Sequence, residues 1–336
     1  MNTMQAVVLN AYNAPLSNEQ VARPVAAAGQ VLVRVIASGV NPLDTKIAAG
    51  AAAHAQARLP AVLGTDIAGI VDSVGDGVEG FAAGDRVYGL TGGVGGVQGS
   101  LAQYAAVDAR LLARMPAQLA MREAAAMPLI FITAWEGLVD RARVGAGMKV
   151  LVHGGAGGVG HMAVQLAVSR GADVYATGSA GQREAIEKMG ATFIDYRATT
   201  VDEYVQRHTD GEGFDVVYDS VGGATLDASF RAARQYHGHV VSCLGWGTHA
   251  LAPLSFRAAT YSGVFTLLPL LSGKGRAHHG EIMKQASALV AAGKLNVMLD
   301  PTPYTLDASS VAAAHAALTE GTARGKVVVE VVAAAD

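Results

Sequence analysis

The chain has 336 residues, of which 51% are hydrophobic and only 16% charged, so it can bury a large core and is not predicted to be disordered. Its formal net charge is -3 without any cluster of Lys and Arg, which argues against a nucleic-acid or anionic-membrane partner. The single cysteine, Cys243, excludes an internal disulfide framework and a cysteine-rich zinc lobe. The chain is long enough for two domains. Because the N-terminus lacks the basic start and the apolar run of a signal peptide, we expect a soluble, cytoplasmic protein.

Short β segments and turns dominate about the first 118 residues. Glycine and proline signals separate the predicted strands, which are residues 4–9, 30–36, 67–74 and 84–90, the last entered by a turn. Pro42 suits the first position of a helical turn over residues 41–49. The glycine-rich residues 91–100 are predicted to be a mobile loop rather than a second nucleotide site, because residues 101–107 alternate like a strand and supply no helix to face a phosphate.

From about residue 119 helices and strands alternate, which predicts a doubly wound parallel sheet with right-handed crossovers. Predicted helices end near residue 127 and span 131–143, 158–170, 181–189 and 223–234. Predicted strands are 149–153, 173–177, 192–195, 214–219 and 239–244, with a final one at 263–267. The tail has helices at about 277–292 and 308–320 and a strand at 326–332, without further alternation, so we expect it to return to the first domain.

The α/β segment opens with a glycine-rich turn, K-V-L-V-H-G-G-A-G-G-V-G at residues 149–160. Residues 150–152 are wholly apolar, as in a strand buried on both faces, and a helix follows the turn. Gly155, Gly157 and Gly160 fit G-x-G-x-x-G, where glycine allows a tight turn and close approach of a pyrophosphate to the helix N-terminus. An ordinary glycine turn is the alternative, but the succeeding units favour a dinucleotide site that also includes Gly158 and Val159.

The next predicted strand ends without an acidic residue. An Asp or Glu about twenty residues beyond the glycines would bond the adenosine ribose and repel a 2′-phosphate. Here the strand ends in Y-A-T-G-S, and Arg183 follows Ser179 closely enough to reach back to a phosphate. These residues favour NADPH over NADH, although Arg183 can equally be a solvated helix residue.

The sequence resembles the medium-chain dehydrogenase/reductases, in their zinc-free quinone oxidoreductase (zeta-crystallin-like) branch. The motifs that carry the resemblance are S-G-V-N-P-L-D-T-K at 38–46, L-P-A-V-L-G-T-D-I-A-G at 59–69, G-D-R-V-Y at 84–88, T-A-W-E at 133–136, V-L-V-H-G-G-A-G-G-V-G at 150–160, F-D-V-V-Y-D-S-V-G at 214–222 and R-G-K-V-V at 324–328. The resemblance implies an α/β protein with a mostly-β GroES-like catalytic domain, residues 1–120 and 269–336, around an inserted Rossmann domain, residues 121–268. The active site would lie in the cleft between them.

Zinc-dependent relatives hold their metal through Cys, His and Cys, and these positions match Asn41, Thr65 and the neighbourhood of Leu129. Amide and hydroxyl groups do not replace the thiolate and imidazole that zinc prefers, so no metal is expected. The histidines are not spaced as a metal site either. Without a Lewis acid, hydride transfer to a quinone, or to a C=C bond conjugated to a carbonyl, remains feasible.

The resemblance also implies roles for individual residues. Asn41 would lie near the nicotinamide ribose and the substrate carbonyl, Thr133 near the nicotinamide, and Asp44 and Lys46 at the cleft entrance. Many relatives have tyrosine at the position of Lys46, so the proton donor stays open between Lys46 and water, and Asp44 can equally cap its own turn. Further implied cofactor contacts are Tyr196, Ser220, Val221, Leu244, Gly245, Phe265, Leu267 and Lys326, while Trp246 and Tyr261 are candidate walls of the substrate pocket.

We therefore expect an NADPH-dependent, metal-free reductase of a small-molecule quinone or enone. An enoyl thioester reductase of the same superfamily and a non-catalytic NADPH-binding protein are the alternatives. Relatives commonly dimerise through the edge strands of their Rossmann sheets, so we expect a homodimer that uses the segment around residues 263–267.

Overall fold

The structure is a computed structural model that describes residues 2–331. These residues form two compact units. The first unit comprises the described residues up to Leu129 together with those from Leu267 onward, and the second unit is Ile130–Thr266. The first unit thus extends to Leu129 rather than to residue 120, because the short helix after residue 120 packs on the strands of that unit.

The elements of the first unit before Leu129 are β1 (Thr3–Leu9), β2 (Ser17–Ala22), β3 (Gln30–Gly39), α1 (Pro42–Ala48), β4 (Ala61–Val62), β5 (Asp66–Val74), β6 (Arg86–Leu90), β7 (Tyr104–Asp108), β8 (Leu112–Arg114) and α2 (Met121–Ala126). Short 3-10 turns occupy Ala53–Ala55 and Ala109–Leu111. Helix α3 (Pro128–Trp135) then continues into a π-helical segment, Glu136–Arg141.

The second unit contains β9 (Lys149–His153), α4 (Gly158–Ser169), β10 (Asp173–Gly178), a 3-10 turn (Ala180–Gln182), α5 (Arg183–Lys188), β11 (Thr192–Asp195), α6 (Val201–Thr209), β12 (Val216–Asp219), α7 (Ala224–Ala232), β13 (His239–Ser242), α8 (Ala252–Ser255) and β14 (Thr260–Gly263). The last strand lies earlier than the expected residues 263–267. Another helix begins at Leu268, with Pro269 in its first turn, so the apolar run does not continue as a strand.

The strands of the second unit form one parallel sheet in the order β11-β10-β9-β12-β13-β14. The chain crosses to the other half of this sheet between β11 and β12, which makes it the doubly wound order of dinucleotide-binding folds. Leu151, Val217 and Val240 on adjacent strands are fully buried and pack against α6 and α7, which explains their near-continuous apolar runs.

The tail adds α9 (Leu268–Ser272), α10 (Arg276–Ala291), β15 (Tyr304–Thr305), α11 (Ala308–Thr319) and β16 (Val328–Glu330) to the first unit. Strand β16 pairs antiparallel with β3, Val328 opposite Gly39, in a seven-stranded sheet. Strands β1, β2 and β4 form a separate three-stranded sheet. Across residues 2–331, no helix combines the length and the apolar character needed to cross a membrane.

Candidate functional site

The glycine turn lies where the parallel sheet reverses its strand order. Strand β9 ends at His153 in the middle of the sheet, between β10 and β12, and α4 begins at Gly158. Ligands of doubly wound sheets bind beyond the carboxyl ends of the strands at this point. The capping position, Gly157, carries no side chain, so the backbone N–H groups of the first helical turn are the donors that face a ligand there.

Two glycines of this turn, Gly155 and Gly160, are required by close packing. A Cβ at Gly160 would overlap the carbonyl oxygen of Gly154, and one at Gly155 would lie 2.6 Å from the Cβ of Ala176. The turn is tied to β10, because the N–H of Gly155 donates to the Thr177 carbonyl over 2.9 Å. A compact turn of this kind, at the start of a helix, can hold a pyrophosphate, and the contacts predicted for it stay predictions. Val159 follows it within the first turn of α4.

A group of polar and cationic side chains follows the ends of β10 and β11. The Ser179 hydroxyl donates to Gln182 Oε1 over 3.2 Å, and the Arg183 guanidinium lies 4.3 Å above the Phe193 ring while pairing with Glu187 at 3.2 Å. The Tyr196 N–H donates to the Gly178 carbonyl over 3.4 Å, which joins the two strand ends.

Sequence reasoning missed Arg197 in this group. Its Nε lies 3.3 Å from the Tyr196 hydroxyl, and its guanidinium is 5.6 Å from the centre of that ring. A second arginine directly after the predicted tyrosine was the available signal. Like Arg183 and Tyr196, it is exposed.

Ser220 and Val221 lie beside the glycine turn. The Ser220 hydroxyl donates to the His153 carbonyl over 2.7 Å, and a Cβ at Gly154 would approach Val221 to 3.0 Å. The buried Asp219, which the sequence analysis did not single out, holds this loop: its carboxylate accepts the N–H groups of Val221 and Gly222 at 2.9–3.2 Å.

The remaining predicted cofactor residues follow β13 and β14. The Leu244 N–H donates to the Ser242 hydroxyl, which in turn donates to Asp219, and a Cβ at Gly245 would overlap the Tyr261 hydroxyl. Phe265 is half-buried and packs edge-on against Trp246, with ring centroids 6.2 Å apart. Leu267 is buried in the first unit. The cofactor contacts of these residues stay predictions.

His153, at the end of β9, is a buried neutral imidazole. Burial lowers its pKa to about 4, against the opposing effect of Asp219. Its Nδ1 lies 3.3 Å from the Thr177 hydroxyl, which also accepts the Gly154 N–H. His153 therefore supports the glycine turn.

Thr133 lies in α3 and is buried. Its hydroxyl is 2.9 Å from the Thr266 hydroxyl, which donates to Glu136 Oε2 over 3.0 Å. The Tyr218 hydroxyl donates to the Thr133 carbonyl over 2.9 Å and fixes the backbone at this point. Sequence reasoning singled out Thr133 but not its two polar neighbours.

In the first unit, Asn41, Asp44, Thr65, Asp66 and Lys326 form a buried polar cluster. The Asn41 amide donates to Thr65 Oγ1 at 3.1 Å and to Asp66 Oδ2 at 2.9 Å, while Lys326 Nζ donates to Asn41 Oδ1 at 2.7 Å. Because lysine only donates and an ionised carboxylate only accepts, this network fixes which way the amide points. Both amide hydrogens are used, so Asn41 offers a ligand only an acceptor, the second lone pair of Oδ1.

Lys326 acts within this polar cluster. Besides Asn41, its ammonium donates to the Val40 carbonyl at 2.8 Å and to Asp66 Oδ2 at 3.1 Å. Each of its three hydrogens therefore has a protein acceptor. The cofactor contact predicted for Lys326 stays a prediction, and these hydrogen bonds give it the additional role of positioning Asn41.

Asp44 is buried rather than placed at an entrance. Its carboxylate accepts the Asn41 N–H at 2.8 Å and the Gly64 N–H at 3.2 Å, so it caps α1 as the alternative interpretation of the sequence allowed. Burial raises the pKa of Asp44 to about 6, although Lys326 and these N–H donors act in the opposite direction. Lys46, two residues on, is exposed.

The polar cluster does not fit a zinc ion. Asn41 and Thr65 offer an amide and a hydroxyl, and the Lys326 ammonium already supplies the positive charge beside Asp66. Within the described residues, no three His, Cys, Asp or Glu side chains are grouped to hold a metal.

The glycine-rich residues 91–100 are packed and hydrogen-bonded, which differs from the expected mobile loop. The N–H of Gly95 donates to the Ala55 carbonyl, that of Gly99 to Val62, and that of Ser100 to Gly64, all at 2.9–3.0 Å. Glycine is needed here for close approach, since a Cβ at Gly99 would overlap the Leu63 carbonyl. Strand β7 follows this loop.

Two family models match the chain. Residues 27–117 match the alcohol dehydrogenase GroES-like domain, and residues 189–329 match the zinc-binding dehydrogenase model. The second description names a metal that the polar cluster does not fit.

Named relatives are similar over most of the chain. A 2-methylene-furan-3-one reductase of Solanum lycopersicum is 36% identical over 317 residues, which are 92% of this chain and 74% of the relative. The chloroplastic NADPH-dependent alkenal/one oxidoreductase of Arabidopsis thaliana is 34% identical over 89% of this chain and 72% of its own length.

Solved structures are similar over both units. The crystal structure of an alcohol dehydrogenase superfamily protein from Novosphingobium aromaticivorans has 54% sequence identity and a TM-score of 0.95, over 98% of this chain and 100% of that one. The quinone oxidoreductase from Coxiella burnetii has 26% identity and a TM-score of 0.81, over 98% and 100% of the two chains.

Proposed function

This chain belongs to the medium-chain dehydrogenase/reductase superfamily, in its quinone oxidoreductase branch, and we propose that it transfers hydride from NADPH to a quinone or an α,β-unsaturated carbonyl without a metal ion. The observation that carries the proposal is the polar cluster, in which a lysine ammonium bonds Asn41 and Asp66. With that donor set, an acceptor that is already polarised is the feasible substrate, since no Lewis acid is needed to activate it. The names of the two plant relatives, both reductases of conjugated carbonyls, support the same class.

The glycine turn and the groups beyond β10 are the proposed cofactor site. Gly155, Gly157, Gly158, Val159 and Gly160 would hold the pyrophosphate at the N-terminus of α4. Ser179, Arg183 and Tyr196 would surround the 2′-phosphate, and the absence of an acid at the end of β10 supports NADPH over NADH. We propose Arg197 as an additional cation near this phosphate.

The bound cofactor supplies the hydride, and the protein positions the acceptor and stabilises its developing charge. Asn41 would accept a hydrogen bond from a ribose hydroxyl through Oδ1, since its amide hydrogens are already used. Thr133 would lie beside the nicotinamide. Lys46 is the candidate positive charge for the enolate oxygen, and Asp44 holds the segment that carries both Asn41 and Lys46.

The first experiment measures oxidation of NADPH, with NADH in parallel, against a panel of quinones, alkenals and an enoyl thioester. Turnover of quinones or alkenals with a strong preference for NADPH is expected. Turnover of the thioester alone would indicate an enoyl thioester reductase. Tight binding of NADPH without turnover of any acceptor would indicate a non-catalytic NADPH-binding protein.

Replacing Arg183 tests the preference for NADPH. Arg183→Ala should raise the KM for NADPH about tenfold or more, because a charge-assisted bond to a phosphate contributes about 1.5–3 kcal/mol, and leave the KM for NADH nearly unchanged. Glu187→Gln is the matched control: it removes the exposed partner of Arg183 and should not raise the KM for NADPH. Equal changes for both cofactors after Arg183→Ala would refute the phosphate contact.

We also propose that the protein is a homodimer joined through β14. This strand is the outer edge of the parallel sheet, and its residues Tyr261 and Gly263 are exposed. An exposed strand edge offers unpaired backbone groups to a second copy.

A further inference from the structure

A chain of hydrogen bonds within the second unit joins two buried hydroxyls to a carboxylate. Thr266 Oγ1 donates to Glu136 Oε2 over 3.0 Å, and Thr133 Oγ1 lies 2.9 Å from Thr266 Oγ1. Thr133 and Thr266 are only 7% and 5% exposed, whereas Glu136 is partly exposed. The chain therefore leads from a carboxylate that water reaches to a hydroxyl that is largely shielded from it.

Local structure explains how these groups meet. Thr133 lies in α3, and Glu136 begins the π-helical segment three residues later, so both side chains project from neighbouring positions of one helical surface. Thr266 closes the gap between them from the segment after β14. π-Helical turns inside α-helices are found frequently at functional sites, which makes this an unusual place for a merely structural hydrogen bond.

We propose that Glu136, Thr266 and Thr133 form a proton relay that delivers the proton completing the reduction of an enone. The inference rests on the proposed function, in which Thr133 would lie beside the nicotinamide and thus near the carbon atoms that react with it. It identifies a source for the proton that the sequence analysis left open between Lys46 and water.

The relay supplies the proton that the reduction needs in addition to the hydride. The β-carbon of the enone accepts hydride from NADPH, and the electron pair of the C=C bond becomes that of an enolate. The α-carbon then takes the hydroxyl proton of Thr133, which takes that of Thr266, which in turn takes a proton that water supplies by way of the Glu136 carboxyl group. One hydride and one proton thus add across the double bond while NADPH is oxidised to NADP+.

The chemistry of the three groups suits this task. A hydroxyl donates one hydrogen bond while accepting another, so two in series pass a proton without a net charge on either. Both separations are within the reach required for proton transfer. The path is continuous, since Thr266 bonds Glu136 on one side and lies within hydrogen-bonding distance of Thr133 on the other.

Other groups near Thr133 are less suitable donors. The Tyr218 hydroxyl is engaged with the Thr133 carbonyl, and burial raises the pKa of Tyr218 well above its ordinary value. Tyr218 therefore keeps its proton and acts as a support. The relay has the advantage that its outer end exchanges protons with water.

The test replaces Thr266, the middle residue of the relay. Thr266→Val keeps the shape of the side chain but removes the hydroxyl, and Thr266→Ser restores it. We expect Thr266→Val to lower kcat for enones on the order of 10²-fold with the KM for NADPH unchanged, and Thr266→Ser to recover most of the activity. Thr209→Val is the control, because it removes another buried hydroxyl of the same unit with two hydrogen bonds but no carboxylate partner, and kcat should stay unchanged.

The stereochemistry of the product distinguishes a proton-relay role of Thr266 from a role in positioning alone. With an enone that carries a methyl group on its α-carbon, the wild type in D2O should place deuterium on one face of that carbon. Thr266→Val should give a mixture of both configurations, since water then protonates the enolate. A Thr266→Val enzyme that retains both rate and stereochemistry overturns the relay, as does a loss of rate that Thr266→Ser does not restore.

A measurement on the protein without cofactor tests the hydrogen bond itself. The infrared carboxylate bands of Glu136, isolated by subtracting the spectrum of Glu136→Gln, should shift in Thr266→Val and not in Thr209→Val. Unshifted bands contradict the relay. A wild type that reduces no enone refutes the proposed function together with the relay, whereas an active wild type indifferent to Thr266 refutes the relay alone.

Discussion

At the scale of single residues, the polar cluster of the first unit shows what the sequence can and cannot specify. Asn41 was identified through the family resemblance of the motif that contains it. Its orientation depends on Lys326, which lies 285 residues away in the sequence. A separation of this size leaves no periodicity or spacing signal. The sequence therefore predicted Lys326 as a cofactor contact and could not predict its hydrogen bonds to Val40, Asn41 and Asp66.

Asp44 gives the polar cluster a measurable pH dependence. Burial raises its pKa from 3.8 to about 6, so between about pH 4 and pH 6 the folded chain holds a proton that the unfolded chain has released. The free energy of unfolding contributed by Asp44 therefore falls as the pH rises through this window, by about 3 kcal/mol in all. Urea unfolding of the wild type and Asp44→Asn at several pH values should show this fall in the wild type only.

A second aspartate of the same unit serves as the control for this experiment. Hydrogen bonds from Ser309, Asn18 and the start of α11 lower the pKa of Asp307 to about 2, so its stabilising effect is already complete above pH 4. Asp307→Asn should lower stability equally from pH 4 to 7 and leave the slope due to Asp44 intact. An identical slope in the wild type and Asp44→Asn would contradict the assignment.

At the scale of elements, local signals predicted most helices and strands of the second unit. The apolar run of β9, its glycine turn and α4 have the expected boundaries to within a residue. Helix α6 was missed, although Thr200 and Glu203 form a capping box at its start, because most of its nine residues are polar and few apolar residues mark its buried face. The packing of residues 91–100 was also missed, since glycines that permit mobility and glycines that permit close approach are identical in sequence.

Two glycines of the turn provide a matched pair of substitutions. Gly160→Ala should lower the free energy of unfolding by roughly 2 kcal/mol or more, because its Cβ would overlap the Gly154 carbonyl oxygen and displace the turn. At Gly158 the nearest atom to a new Cβ is Ile130 Cγ2 at 3.6 Å, an ordinary contact, so Gly158→Ala should be neutral or stabilise α4 by up to about 1 kcal/mol. Thermal unfolding without cofactor measures the change in stability for both variants. Equal destabilisation by the two substitutions would contradict the predicted difference.

At the scale of the whole molecule, the change from short β segments to alternating helices and strands predicted the two kinds of architecture. The parallel sheet was inferred because each crossover helix is visible in the sequence, but the pairing of β16 with β3 joins strands from opposite ends of the chain. Such non-local pairing carries no local signal beyond the loss of alternation in the tail. Family resemblance supplied the rest, including the expectation of a dimer, which the sequence alone does not encode.

The proposed dimer can be tested by removing one outward-facing backbone N–H group from the edge strand β14. The N–H groups of Thr260 and Val264 point inward, to the carbonyls of Gly238 and Ser242, so the alternation of a strand directs those of Tyr261 and Gly263 outward. Gly263→Pro removes an outward donor without touching the inward ladder, whereas Gly263→Ala keeps it. Light scattering over a dilution series should give a dimer for the wild type and Gly263→Ala, and a dissociation constant raised about tenfold or more for Gly263→Pro, since several hydrogen bonds depend on that edge. A monomeric wild type would refute the dimer. A Gly263→Pro variant as dimeric as Gly263→Ala would place the interface elsewhere.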